Sequence, residues 1–205
     1  KDRISFCEYK KTEINNQIFD TLSRVDMIFV GGNKMTKHYP LNTQTLSTLN
    51  YFTTGAGQNG RTDIKGASHI IVPNIYPNID LWYSSNSFGS KYYFVVKPGG
   101  NPAQIMLSFQ GSNSTSIVSN DLKITSALGS WLFKKPEIYS VMLNPFTSSI
   151  ITSTVSGVNG WNNISSNLYS VNTGTYNNAF PLVISFNMGQ ILSTVTNSLN
   201  CEWST

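Results

Sequence analysis

The sequence predicts an all-β fold, an antiparallel β-sandwich built from many short strands, on three observations. The first is composition. Of 205 residues only 12% are charged, about half the usual share, and 27 Ser, 19 Thr and 23 Asn take the place of the missing charge. The second is aromatic content: 11 Phe, 10 Tyr and 4 Trp are too many for a chain that stays disordered. The third is rhythm, because short apolar or alternating runs recur every 8–12 residues or so between clusters of Pro, Gly, Asn and Ser, as in sandwiches and barrels. A coiled coil is excluded by composition. No apolar run approaches the roughly 20 residues of a membrane-spanning helix.

The elements follow in order. Ile14, Ile18, Leu22 and Val25 repeat at helical spacing, so a short N-terminal helix is expected there. Val25–Val30 reads as a strand stopped by Gly31-Gly32, and residues 31–66 read as mostly loop. The chain is therefore read as one domain, residues 1–205, with a less regular leading segment at 1–66 and a β core at 67–205. Within the core, strands are expected at His69–Val72, Ile79–Tyr83, Lys91–Val96, Gln104–Phe109, Asp121–Thr125, Trp131–Phe133, Glu137–Leu143, Ser149–Ser156, Ile164–Ser170, Phe180–Asn187 and Ile191–Thr196. Asp121-Leu122-Lys123-Ile124-Thr125 alternates as a strand with one wet face does. Asn159-Gly160 ahead of Trp161 reads as a hairpin turn. Pro98–Pro102 reads as a tight exposed turn joining antiparallel strands 91–96 and 104–109, since neither proline can donate to a ladder.

Fourteen Lys and Arg against ten Asp and Glu leave a net charge of +4. These residues are scattered rather than gathered on one face, which argues against nucleic acid as a partner. No Lys or Arg follows Lys135, and from Pro136 to Thr205 the only charges are Glu137 and Glu202. Interfaces are depleted of charge at their centres, so this half is expected to contact neighbouring subunits or partner proteins. The alternative is that it forms the domain's own inner sheet. Cys7 and Cys201 stand near opposite ends. They form either one disulfide, which would contribute about 5 kcal/mol on the chain-entropy model, or two inert thiols.

Two turn-and-strand units stand out: Ile75-Tyr76-Pro77-Asn78-Ile79-Asp80-Leu81-Trp82-Tyr83, and Tyr92-Tyr93-Phe94-Val95-Val96-Lys97-Pro98-Gly99-Gly100-Asn101-Pro102-Ala103-Gln104-Ile105. Pro77 fixes φ and Asn78 tolerates the left-handed region, so Tyr-Pro-Asn is a turn. Asp80 on the following strand is placed to cap its backbone N–H groups. Pro98, Gly99 and Pro102 make the second turn. With Phe109-Gln110-Gly111, Asp121–Ile124 and Pro181–Ile184, this order resembles a β-rich extracellular module of long secreted bacterial surface proteins. That module lies near the N-terminus, ahead of SBBP-type β-propeller or immunoglobulin-like repeats. The match spans about residues 68–186. Asn78 stands where the family pattern has Gly, Tyr93 where it has Asp, and Ser185-Phe186 where it has Asp-Pro. The resemblance implies an all-β, extracellular, non-catalytic module.

No constellation of chemistry competes with that expectation. His38 and His69, the two histidines, have no Cys or carboxylate at ligand spacing, and there is no nucleophile elbow or P-loop. The chain is read as no enzyme and as holding no cofactor or metal. Asn113-Ser114-Thr115 and Asn163-Ile164-Ser165 fit the N-glycosylation pattern, which counts only in a host that modifies it. Trp82, Tyr83 and Trp161 are the candidates for contact with a partner or glycan, since exposed Trp and Tyr stack on sugars and anchor proteins. The expected function is thus a structural or adhesive module of an extracellular assembly: a cell-surface layer, a filament or fibre, or a virion. Its partners would be other copies or other surface or virion proteins. The alternative is a glycan-binding module.

Overall fold

The computed structural model describes residues 3–34, 39–41, 48–51, 60–65, 69–86, 89–143 and 150–191. The strands are β1 (Arg3–Ile14), β2 (Gln17–Phe29), β3 (Tyr39–Leu41), β4 (Thr48–Tyr51), β5 (Arg61–Lys65), β6 (His69–Tyr76), β7 (Ile79–Asn86), β8 (Gly89–Val96), β9 (Met106–Gln110), β10 (Ser114–Val118), β11 (Asp121–Thr125), β12 (Ser130–Phe133), β13 (Glu137–Leu143), β14 (Ile150–Thr154), β15 (Gly160–Ser165), β16 (Leu168–Asn172) and β17 (Leu182–Ile191). All pairings are antiparallel. One sheet has five strands in the order β1-β2-β9-β16-β15. The other has ten, running β10-β11-β12-β17-β8-β7-β6-β3 with β13 attached to β17 and β14 to β13, and β4 pairs with β5 alone.

The two large sheets face each other across an aromatic core. Phe6 meets Trp131 and Phe133 at ring-centroid distances of 6.0 and 5.9 Å. Phe29 meets Phe94 at 6.1 Å, Phe109 meets Phe133 at 5.3 Å and Trp161 meets Phe186 at 5.0 Å. Each pair joins a strand of one sheet to a strand of the other. The alternation in β8 is complete: Tyr92, Phe94 and Val96 are buried while Lys91, Tyr93 and Val95 are half-exposed. Strand β17 is central. It pairs with β8 on one side, and on the other with β13 along Leu182–Ser185 and with β12 along Met188–Ile191.

The expected N-terminal helix is absent. Residues 3–29 form one long hairpin, so the first part of the leading segment is as regular as the core. Asn15 and Asn16 adopt φ of 53° and 61°, the pair of left-handed residues that a type I′ turn requires. The four-residue spacing of Ile14, Ile18 and Leu22 buries nothing, since these side chains are 53%, 67% and 65% exposed. The Asn-Asn turn between two strand-forming runs overrode the helical periodicity. β2 pairs with β9 only over Asp26–Phe29. There Gly111, at φ 87°, turns the chain away so close to Arg24 that a Cβ would lie 2.5 Å from its carbonyl oxygen. Beyond that point the hairpin projects as a two-stranded arm.

Three further expectations are corrected. Residues 98–102 turn tightly but do not connect paired strands: β8 lies between β7 and β17, whereas β9 lies between β2 and β16. The turn carries the chain from one sheet to the other and ends in a single 3₁₀ turn at Pro102–Gln104, so Gln104 precedes the strand. Asn159-Gly160 is no hairpin turn, because Gly160 opens β15, which pairs with β16. The hairpin loop lies at Ser166-Asn167, inside the strand expected at Ile164–Ser170, and Asn167 supplies φ 61°. β10 went unforeseen, as STSIV has no alternation of polarity. The other strands expected from His69 to Asn187 are present with ends shifted by a few residues, and Leu192–Thr196 of the last one lies outside the described residues, as does His38.

Candidate functional site

The wet face of the ten-stranded sheet presents three rows of side chains. Cross-strand register aligns Ile71, Trp82, Tyr93, Ser185 and Glu137 across five strands. On one side of this row stand His69, Ser84, Lys91 and Asn187, and on the other Asp80, Val95, Val183 and Tyr139. Lys91 organises the centre. Its Nζ lies 3.6 Å from Glu137 Oε2 and 5.2 Å from the Tyr93 ring centroid, a cation–π geometry. The Ser185 hydroxyl donates to Glu137 Oε2 at 3.4 Å. Ser185 is fully buried although it points to the wet side. Burial pushes the Tyr139 phenol above its ordinary pKa; Lys91 opposes this, while Tyr93 and Glu137 add to it, so Tyr139 is a neutral donor at physiological pH. The half-buried Trp82 has an enclosed indole nitrogen with no hydrogen-bond partner among the described residues.

Two open grooves flank β13. One, of about 640 Å³, is lined by Lys135–Tyr139, Thr152 and Asn159. The second, of about 430 Å³, is lined by Ser140, Met142, Ser153, Ser156, Thr175, Tyr176, Asn177 and Phe180, with no charged side chain. Among the described residues no group of three His, Cys, Asp or Glu side chains is placed to hold a metal. The arrangement offers flat aromatic faces, hydroxyls and the Lys91–Glu137 ion pair, which suit stacking and hydrogen bonding.

Of the three contact candidates only Trp82 faces out. Tyr83 and Trp161 are corrected: both are buried, at 7% and 8% exposure. Tyr83 shares a 3.1 Å hydrogen bond with Ser90. Trp161 donates its indole N–H to the carbonyls of Phe133 and Lys134 at 3.3 and 3.1 Å. Adjacent strand residues point to opposite faces, so Trp82 and Tyr83 cannot share a surface. Tyr93, Tyr139, Lys91 and Glu137 complete the patch. Their signal was the same alternation, read from the neighbours Tyr92 and Phe94 that go inward.

The motif residues build a structural weld. Pro77 and Asn78 form the two-residue loop of the β6–β7 hairpin, with Asn78 at φ 58°. Asp80 caps a different place from the one expected. Its Oδ1 accepts the backbone N–H of Asn74 at 2.8 Å, at a bulge in β6 where Asn74 has φ 52°. Lys97 Nζ lies 2.8 Å from its other oxygen, and the Lys97 N–H donates to the Asn78 carbonyl at 2.9 Å. Asn33, just past β2, donates to Ile75 O at 2.7 Å and Asn74 O at 2.8 Å, tying the smaller sheet to the larger. Gly99 and Pro102 shape the crossover beside this cluster. Tyr76 reinforces it by donating to Met106 O at 3.0 Å, and burial drives its phenol far above the ordinary pKa. Cys7 is half-buried on β1, while Cys201 lies outside the described residues.

The family model described as Domain of unknown function (DUF7948) matches residues 5–185. The chain belongs to this family. No curated protein and no solved structure matches the chain. The DUF7948 match runs from β1 into β17, so it takes in the projecting arm, the motif weld and the patterned outer face alike. No helix among the described residues is long and apolar enough to cross a membrane.

Proposed function

We propose that this domain is a non-catalytic structural or adhesive module of an extracellular assembly: a cell-surface layer, a filament or fibre, or a virion. It would work by presenting a binding face to other copies or to other surface or virion proteins. The observation that carries the reading is the outer sheet face on which Trp82, Tyr93 and Tyr139 stand beside the Lys91–Glu137 pair. Aromatic anchors of this kind concentrate binding energy where charge is scarce. The charge-poor second half divides. Leu182, Ile184, Phe186 and Met188 of β17 are core, whereas Ser153, Asn172 and Thr175 are exposed.

The test is association. Sedimentation velocity of the full chain over rising concentration should show self-association or capture by a co-resident surface protein. Tyr93→Ala should weaken it about tenfold or more, as hot-spot truncations do, with an unchanged unfolding midpoint. A chain that associates with nothing through this face refutes the reading. Glycan binding is the second reading, favoured by the enclosed Trp82 indole beside Tyr93. A glycan array on which wild type binds and Trp82→Ala does not would favour it over protein assembly.

A further inference from the structure

The projecting arm belongs to neither sheet's buried face. From Lys11 to Leu22 every residue except the half-exposed Thr12 is exposed, and among the described residues no third strand pairs with it. It displays Ile14, Ile18, Phe19 and Leu22 at 48–67% exposure. A two-stranded hairpin of this kind is marginal in water and gains stability when further strands are added. Its turn is nonetheless well formed, with Asn15 and Asn16 both in the left-handed region. Its charges are balanced, with Lys10 and Lys11 against Glu13 and Asp20, so two arms do not repel.

We propose that the arm pairs with the arm of a second copy of this chain, β1 against β1, antiparallel about a two-fold axis through Thr12. This deepens the assembly reading above and rests on it for the choice of a second copy as the partner. Two arguments favour this geometry. First, β1 and β15 are the outer strands of five antiparallel strands, so they run the same way. Copies related by translation would meet in parallel, whereas a two-fold axis brings β1 to β1 antiparallel and continues the ladder. Second, a two-fold axis perpendicular to the sheet must pass through a residue position, because opposed residues point to the same face. Centring on Lys10, Lys11 or Glu13 opposes two like charges, which is destabilising. Centring on Thr12 opposes Lys11 to the second copy's Glu13, twice. In that register the tip of each arm reaches Tyr9 at the base of the other, so overlap covers the exposed length and makes a four-stranded ribbon.

Sedimentation equilibrium and oxidative cross-linking of the full chain test this. Wild type should form a reversible dimer. Glu13→Lys, whose cross-strand neighbour is Ile18, should raise the dimer Kd about tenfold, since it turns two attractions into two repulsions. Adding Lys11→Glu should recover most of that loss. Thr12→Cys should cross-link to itself, because a residue on the axis faces its own copy within disulfide reach, while Thr21→Cys should not; wild type treated alongside controls for the native cysteines. Association that Glu13→Lys leaves unchanged, with no Thr12→Cys cross-link, overturns the arm pairing and leaves the assembly reading standing. A wild type that stays monomeric also overturns the arm pairing, and the Tyr93→Ala experiment then decides the assembly reading separately.

Discussion

At the scale of single residues, two buried carboxylates decide how the smaller sheet is held. Glu8 is 1% exposed on β1. It accepts the hydroxyl of Ser126, which itself accepts the backbone N–H groups of Leu128 and Gly129 at 3.1 Å. The β11–β12 turn is thereby fastened to the base of the arm. Gly129 leaves no room for a side chain, as a Cβ there would lie 2.7 Å from Glu8 Oε1. Gly129→Ala should cost about 1–3 kcal/mol by overpacking, and Ser126→Ala a similar amount by leaving the buried carboxylate short of a donor. Urea unfolding with unchanged m-values would show both.

Asp26 is the second. Burial alone would raise its pKa, but hydrogen bonds from Arg24, Ser5 and Arg3 outweigh burial and hold the carboxyl below its ordinary value. Arg24 Nε sits 2.7 Å from Oδ1 and Arg3 Nη1 3.1 Å from Oδ2. The folded pKa is depressed, so its contribution is complete above the unfolded value near 4. That contribution is lost as pH falls through the lower folded value. Asp26→Asn should therefore lower stability at pH 7 and flatten the fall of stability below roughly pH 4, measured as unfolding free energy against pH.

At the scale of elements, the turns are Asn-rich and their conformations are demanding. Asn15 and Asn16, Ser119 and Asn120, and Asn78 and Asn167 all supply positive φ at two-residue hairpin loops. A β-branched residue in the left-handed region costs about 1–2 kcal/mol. Asn16→Val should accordingly fray the arm, while Asn16→Gly should leave it intact. The arm lies outside the sandwich, so the loss should register in hydrogen exchange of amides 10–22 and hardly at all in the global unfolding midpoint. The β6 bulge works by a related economy. Pro73 has no N–H to give a ladder, and the next residue, Asn74, is the one whose N–H goes to Asp80.

At the scale of the whole molecule, Phe133 is the hub. Its ring lies within 6.4 Å of those of Phe6, Tyr92, Phe109 and Phe186, which come from both sheets. Truncating such a residue costs about 3–5 kcal/mol, against a total of roughly 5–15 kcal/mol for a domain. At about 2–4 °C per kcal/mol for a domain of this size, Phe133→Ala should lower the thermal midpoint by roughly 6–20 °C. Because the aromatic core is shared by both sheets, the transition should stay single, with near- and far-UV circular dichroism falling together.

The sequence by itself determined the fold class and most strand positions, because alternation such as Asp121–Thr125 and turns such as Pro77-Asn78 are local properties of a few adjacent residues. Adjacent positions on a strand also put Trp82 and Tyr83 on opposite faces, so the two could not both be contacts as expected. Only the tertiary structure decided which of the two is wet, since a period of two defines two faces without saying which one another sheet will cover. The same limit governs Pro98–Pro102, where rigidity is local but the partners of the strands on either side are not. It governs the N-terminus too. Residues 14–25 satisfy a helical period, yet a helix there would need a surface to bury its stripe, and the chain supplies instead an Asn-Asn turn and, for Val25, a place in the shared core between two sheets.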